Sequence, residues 1–165
     1  MIVVADASPL NYLIQIQADE LLYKIFGRVL VPTAVMQELR HPRAPERVAA
    51  WMSRIPAWIE IRAVESAEDD RLSQLDPGER HAILLAQEAH ADVLLIDERQ
   101  GRIEARRRGI ATTGTLGVLL LAGKRGLASP DAHFRRLMSE TSFRCSTELR
   151  EAFIAECSKI GHKLP

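Results

Sequence analysis

The chain is predicted to be an α/β protein: a three-layer α/β/α sandwich around a parallel sheet of about five strands. Two observations predict this. Short aliphatic runs rich in β-branched residues recur through the first two-thirds of the chain, and longer stretches with helical punctuation separate most of them. Proline and glycine then fall where helices start and stop, with prolines after Ser8, Val31 and Asp76 and glycines after the basic turns ending at Arg108 and Arg125. Strands alternating with helices require crossover connections, which cover a parallel sheet on both faces.

Taken in order, Ile2 to Ala5 is the first strand, and Ser8 before Pro9 caps the helix that follows. Arg28 to Val31 is the second strand, and Pro32 opens a helix running to Arg40. Trp58 to Val64 is the third. Asp76-Pro77 begins a helix whose inward positions are Ala82, Ile83, Ala86 and His90, a stripe that Glu79 shares by its spacing. Asp92 to Ile96 is the fourth strand, and the helix after it ends in Arg106-Arg107-Arg108 before Gly109. Gly109 to Thr112 is the fifth, and the next helix ends at Lys124-Arg125 before Gly126. Beyond Ser129-Pro130 come a helix to about Glu140, a short Phe143-Arg144-Cys145 stretch and an amphipathic helix from Ser146 that turns Leu149, Phe153 and Cys157 inward.

Residues 1–165 suit one domain that includes these C-terminal helices from about residue 129. Hydrophobic residues at 47% and charged residues at 27% are globular proportions, and no apolar run approaches the roughly 18 residues of a membrane span. The apolar N-terminus has neither a basic leader nor a small-residue cleavage site, so a cytoplasmic location is expected. Cys145 and Cys157 lack redox or zinc spacing and are expected to be packing thiols. With 22 basic and 22 acidic residues, overall charge neither points to nor excludes a nucleic-acid partner.

Ligand sites in open parallel sheets form beyond the C-terminal ends of strands. Asp6 directly follows Val3-Val4-Ala5 and Asp97 directly follows Leu94-Leu95-Ile96, so both occupy such ends. If these strands are neighbours, the two carboxylates would repel by roughly 4 kcal/mol at an effective dielectric near 20, unless a cation or shared proton intervenes. A divalent metal removes that repulsion. Structural roles compete, because Asp97 with Gln100 also fits a capping box, whereas Ser8 leaves the Asp6 side chain without a capping task. Glu98 has Arg102 four residues on and suits an ordinary surface pair.

Glu38 lies about two turns after the second strand and on its own resembles a surface glutamate; Glu79 fits both a capping box with Asp76 and a place in the acidic site. Thr112-Thr113-Gly114-Thr115 sets hydroxyls and backbone N–H groups at a helix start, where Thr113 suits either a cap or a phosphate contact. Arg99, Arg102 and Arg106 to Arg108 form a basic cluster able to touch a polyanion. No G-x-S-x-G, P-loop or dinucleotide fingerprint occurs, and the histidines show no ligand spacing.

Val3-Val4-Ala5-Asp6-Ala7-Ser8-Pro9-Leu10, Glu38 after Val31-Pro32, Leu75-Asp76-Pro77-Gly78-Glu79 and Leu94-Leu95-Ile96-Asp97-Glu98-Arg99 together resemble the PIN-domain family. Gly114-Thr115-Leu116-Gly117-Val118-Leu119-Leu120 and the closing helix are similar to its VapC-like ribonuclease toxin branch of prokaryotes. The resemblance implies a Mg²⁺- or Mn²⁺-dependent ribonuclease, often the toxin of a type II toxin-antitoxin pair. It puts Asp6, Glu38, Glu79 and Asp97 on the catalytic, metal-holding positions and Ser8 and Thr113 on the polar supporting ones. Glu79 stands where the family often has aspartate. RNA is then the substrate, with Arg99 and Arg102 as its contacts, and the partners are an antitoxin protein and, as an open alternative, a second copy of the chain; no membrane is involved.

Two other functions compete. A metal-dependent phosphatase or phosphotransferase would use acids at the same strand ends, but a nucleophilic aspartate is usually accompanied by a second one two residues on, and here that place is Ser8. A non-catalytic PIN-like interaction module is disfavoured by the presence of all four acids.

Overall fold

The computed structural model describes residues 1–161. Five strands, β1 (Val3–Ala5), β2 (Val29–Pro32), β3 (Ile59–Arg62), β4 (Val93–Leu95) and β5 (Thr112–Thr113), form one sheet in the order β3-β2-β1-β4-β5, with every neighbouring pair parallel. The helices are α1 (Ala7–Gln15), α2 (Glu20–Phe26), α3 (Thr33–Leu39), α4 (Glu46–Ser53), α5 (Pro77–Glu88), α6 (Arg99–Arg107), α7 (Thr115–Lys124), α8 (Pro130–Glu140) and α9 (Thr147–Gly161). From β1 the chain steps outward to β2 and β3, then returns to the other side of β1 for β4 and β5. Strand order therefore reverses between β1 and β4, which opens the crevice where ligands bind in such sheets.

Strand side chains alternate between faces, and the core divides accordingly. Val3, Ala5, Val29, Val31 and Leu95 pack with the apolar faces of α1, α2, α3, α7 and α8, joined by Phe143 and Phe153. Val4, Leu30, Leu94 and Ile96 point to the opposite face and pack on α5 and on Ala105 of α6. The three layers follow from this alternation. Their C-terminal closure rests on aromatic contacts, with the Phe134 and Phe153 rings 4.9 Å apart and Tyr12 meeting Phe143 edge-on at 5.2 Å.

Several local expectations are revised. Helix α1 starts at Ala7 with Asp6 in the N-cap position, so Ser8 lies inside the first turn and does not cap it. Pro32 ends β2 and precedes Thr33, the first residue of α3. The last strand is shifted toward Thr112–Thr113, because Gly109 takes a left-handed conformation (φ +75°) that closes α6. Helices α2 and α4 are not delimited from the sequence, although Pro45 occupies the N-cap position of α4; α2 has Asp19 there. His90 ends up exposed past the end of α5, and Leu149 is 41% exposed although Phe153 on the same helix is buried. Both cysteines are free and half-buried, as packing thiols should be. No helix among the described residues is long and apolar enough to cross a membrane.

Candidate functional site

The register of β1 with β4 brings the first and last acids of the site together. Val3, Val4 and Ala5 lie opposite Val93, Leu94 and Leu95, and the Asp6 N–H donates to Leu95 O at 2.9 Å. Asp6 thus leaves the sheet at the reversal point, and it is buried. Its backbone occupies the cap position of α1, but its side chain does not cap the helix. Burial pushes the Asp6 carboxyl up to about 7, and the negative charges of Glu79, Glu38 and Asp97 push the same way against one backbone hydrogen bond from Ala7. An acid so placed needs either a proton or a cation.

Asp97 follows one residue past the Ile96 N–H that donates to Thr113 O of β5. Instead of forming a capping box with Gln100, it turns to the start of α7: Thr115 N–H donates to Oδ1 and the Thr115 hydroxyl donates to Oδ2, both at 2.7 Å. These bonds and the charge of Arg102 favour the ionised form, yet burial prevails and raises the Asp97 pKa. Glu98 takes the cap position of α6, and among the described residues it forms no ion pair with Arg102.

Glu38 and Glu79 meet at the start of α5. Glu79, 8% exposed, accepts from the Asp76 N–H at 3.2 Å, the return half of a capping box. Glu38 reaches across from α3 and accepts from the Gly78 N–H at 2.9 Å, a bond spanning 40 residues. Partial burial raises both carboxyls, against these amide bonds; Asp76 adds to the effect on each, and Glu98 and Glu38 add to it for Glu79. Capping and membership of the acidic group are therefore simultaneous for Glu79.

Two glycines make room for the acids. A side chain at Gly78 would run into the Glu38 carboxylate, and a Cβ at Gly114 would lie 2.6 Å from Asp97 Oδ1. Sequence reasoning set Gly114 and Thr115 in a turn suited to phosphate and Gly78 at a helix start, but it missed that these residues hold or make room for the acids Asp97 and Glu38. Ser8, Arg99 and Arg102 line a cleft of about 340 Å³ beside Asp97, whereas the Thr113 hydroxyl lies over Gly117 in α7.

Some other acids are paired with arginine, Glu68 with Arg80, and Glu104 and Asp69 with Arg108, whereas Asp76 and Glu98 beside the site have no ion pair among the described residues. None of Asp6, Glu38, Glu79 and Asp97 has an ion pair among the described residues. Their side chains form no ready-made group of three metal ligands among those residues either. The donor set is nonetheless all oxygen, with a buried carboxylate lacking a cationic neighbour, and this suits a hard divalent cation better than a soft one.

Comparison with curated proteins and with solved structures returned no match. A family model for the PIN domain matches residues 2–159, from the first strand into the closing helix. With that match spanning both the sheet and the acidic crevice, the chain belongs to the PIN-domain family, whose fold is of nuclease type.

Proposed function

We propose that the protein is a Mg²⁺- or Mn²⁺-dependent ribonuclease, working at Asp6, Glu38, Glu79 and Asp97, and that it is the toxin of a type II toxin-antitoxin pair. The observation that carries the nuclease reading is the buried Asp6 carboxylate, surrounded by three further acids and by no paired cation. Asp6 and Asp97 would bind the metal directly, and Glu38 and Glu79 directly or through water. A bound divalent ion would acidify a water for attack and neutralise charge on the phosphodiester. Thr115 keeps both Asp97 oxygens oriented and Ser8 adds a hydroxyl to the cleft beside Asp97, while the supporting role of Thr113 rests on the resemblance. Arg99 and Arg102 offset the repulsion between an acidic site and a polyanion. Toxin status and a protein antitoxin rest on the resemblance to the toxin branch; the protein acts in the cytoplasm, and a second copy of the chain is an alternative partner.

Cleavage of RNA should require Mg²⁺ or Mn²⁺ and stop in EDTA, and Asp97→Asn should abolish it while the fold persists. A protein that cuts equally well in EDTA would overturn the metal-dependent mechanism. Saturating Mn²⁺ should also raise the melting temperature by about 5–10 °C, as for a ligand at roughly a hundred times its Kd that binds only the folded state.

Glu79→Gln separates capping from ligation. Glutamine retains an oxygen acceptor for the Asp76 N–H, so the melting temperature in EDTA should stay within about 2 °C of wild type. Cleavage should nevertheless fall about 10–100-fold, the loss typical of disturbing a metal's immediate surroundings. An unchanged rate together with an unchanged Mn²⁺ shift would remove Glu79 from the site.

A further inference from the structure

The cleft beside Asp97 has walls that the acidic site does not account for. Asp97, Glu98 and Gly114 line it, together with Arg99 and Arg102 in the first turn of α6 and Arg144 in the segment joining α8 to α9. Arg144 stands on that segment. It is exposed, its Nη1 donates only to the neighbouring Phe143 carbonyl at 2.7 Å, and it makes no ion pair among the described residues. Arg99 and Arg102 likewise form no ion pair among the described residues, although Arg135 and Arg136 on α8 are paired with Asp131 and Glu140. Three guanidinium groups without an ion pair among the described residues therefore line one cleft, Arg102 near enough to Asp97 for its charge to be felt there.

The position of Arg144 is held by packing. Phe143 is buried and meets Tyr12 of α1 edge-on, with ring planes at 88°, which anchors the residue before Arg144 to the body of the domain. Leu149, one turn into α9, faces outward into the same cleft. That explains an exposed leucine on a helix whose Phe153 is buried: it supplies an apolar surface beside the cationic one.

We propose that this cleft seats one unstacked nucleotide of single-stranded RNA, with Arg144 gripping the backbone phosphate alongside Arg99 and Arg102. The proposal deepens the ribonuclease reading and rests on it. A volume of about 340 Å³ lies at the small end of the roughly 300–1,000 Å³ of ligand pockets, enough for a single nucleotide and not for a duplex. Mixed cationic and apolar walls match a phosphate and a base face, as in other single-strand sites. Arg144 is a substrate-binding residue in this scheme and takes no part in proton transfer.

Arg144→Ala should raise KM for a short mixed-sequence single-stranded RNA about tenfold and leave kcat within about twofold. In the Asp6→Asn background, binding of the same fluorescein-labelled RNA measured by anisotropy should lose about 0.7 from its log–log salt slope when Arg144 is replaced by alanine, and regain it with lysine. The same sequence as a duplex should bind at least about tenfold more weakly. Arg135→Ala, which removes an exposed arginine already paired with Asp131, should change none of these quantities. An active wild type whose KM and salt slope are indifferent to Arg144→Ala overturns the cleft assignment, and equal duplex affinity overturns its single-strand character. If the wild type cuts no RNA, the ribonuclease reading fails separately. The anisotropy arm then decides the cleft alone: Arg144-dependent binding upholds it and absence of binding overturns it.

Discussion

Asp6→Asn should remove RNA cleavage by about 10²–10³-fold and at the same time make the metal-free protein more stable at pH 8 than the wild type. The two effects share one cause. Burial and three neighbouring acids raise the Asp6 carboxyl from 3.8 to about 7, which corresponds to roughly 4 kcal/mol between its protonation states. Near pH 3 the group is protonated in both folded and unfolded chains, and the stability it contributes is fully present. As pH rises through 4 to 7, the unfolded chain releases this proton while the folded chain retains it, so stability falls; above about 7 the loss is complete.

Asparagine does not titrate, so in EDTA the melting temperature of Asp6→Asn minus that of wild type should be smallest near pH 4. It should grow to about 10 °C by pH 8. Mn²⁺ should reverse the order, because a cation favours the ionised carboxylate and stabilises only the wild type. A difference independent of pH in EDTA would show that Asp6 is not the strained acid described above.

Gly114→Ala is expected to be a damaging single-methyl change at the site. The glycine has φ −111° and ψ −172°, a backbone that alanine adopts freely, so the effect must come from contact alone. A Cβ would stand 2.6 Å from Asp97 Oδ1 and 3.5 Å from the Ile96 carbonyl. The carboxylate has to move, and with it go one or both hydrogen bonds from Thr115. Charge-assisted bonds of this kind contribute about 1.5–3 kcal/mol each, partly offset by the 0.4–1 kcal/mol that alanine gains over glycine through the unfolded state.

A fall in melting temperature of about 5 °C and a loss of cleavage of about 10–100-fold should result. Thr115→Val removes only the hydroxyl bond and keeps the N–H bond, so its activity should lie between wild type and Gly114→Ala. Wild-type cleavage by Gly114→Ala would mean that the orientation of Asp97 is immaterial to the reaction.

Much of this molecule is decided locally. The strand pattern Val3-Val4-Ala5 and Val93-Leu94-Leu95 is fixed by side-chain alternation and β-branching, and Pro77 and Pro130 mark helix starts because their rings suit a first helical turn and need no N–H partner. The parallel α/β architecture and the presence of acids at two strand ends follow from such short-range facts, and so were legible in the amino-acid order. Local preference fails where two neighbours compete for one role: Ser8 directly before Pro9 suits a side-chain cap, yet α1 starts at Ala7 with Asp6 in the cap position and no side-chain cap bond. The chain leaving β1 at the crevice sets the helix start there, and tertiary packing outweighs a capping preference of about 1 kcal/mol.

Tertiary structure alone decided what meets what. Whether β4 lies beside β1 depends on the reversal of strand order, and only that adjacency turns Asp6 and Asp97 from two isolated strand-end acids into members of one electrostatic group. The hydrogen bond from Gly78 to Glu38 spans 40 residues, that from Thr115 to Asp97 spans 18, and Arg144 lines the same cleft as Arg102 from a segment far along the chain. No periodicity or cap signal encodes such pairings, because their partners are chosen by the packing of whole helices against the sheet. By itself the sequence determined the layers, the strand ends and the kind of residue standing there; the fold determined which acids share a field, which hydroxyl and which amide hold them, and which arginines remain free to face a substrate.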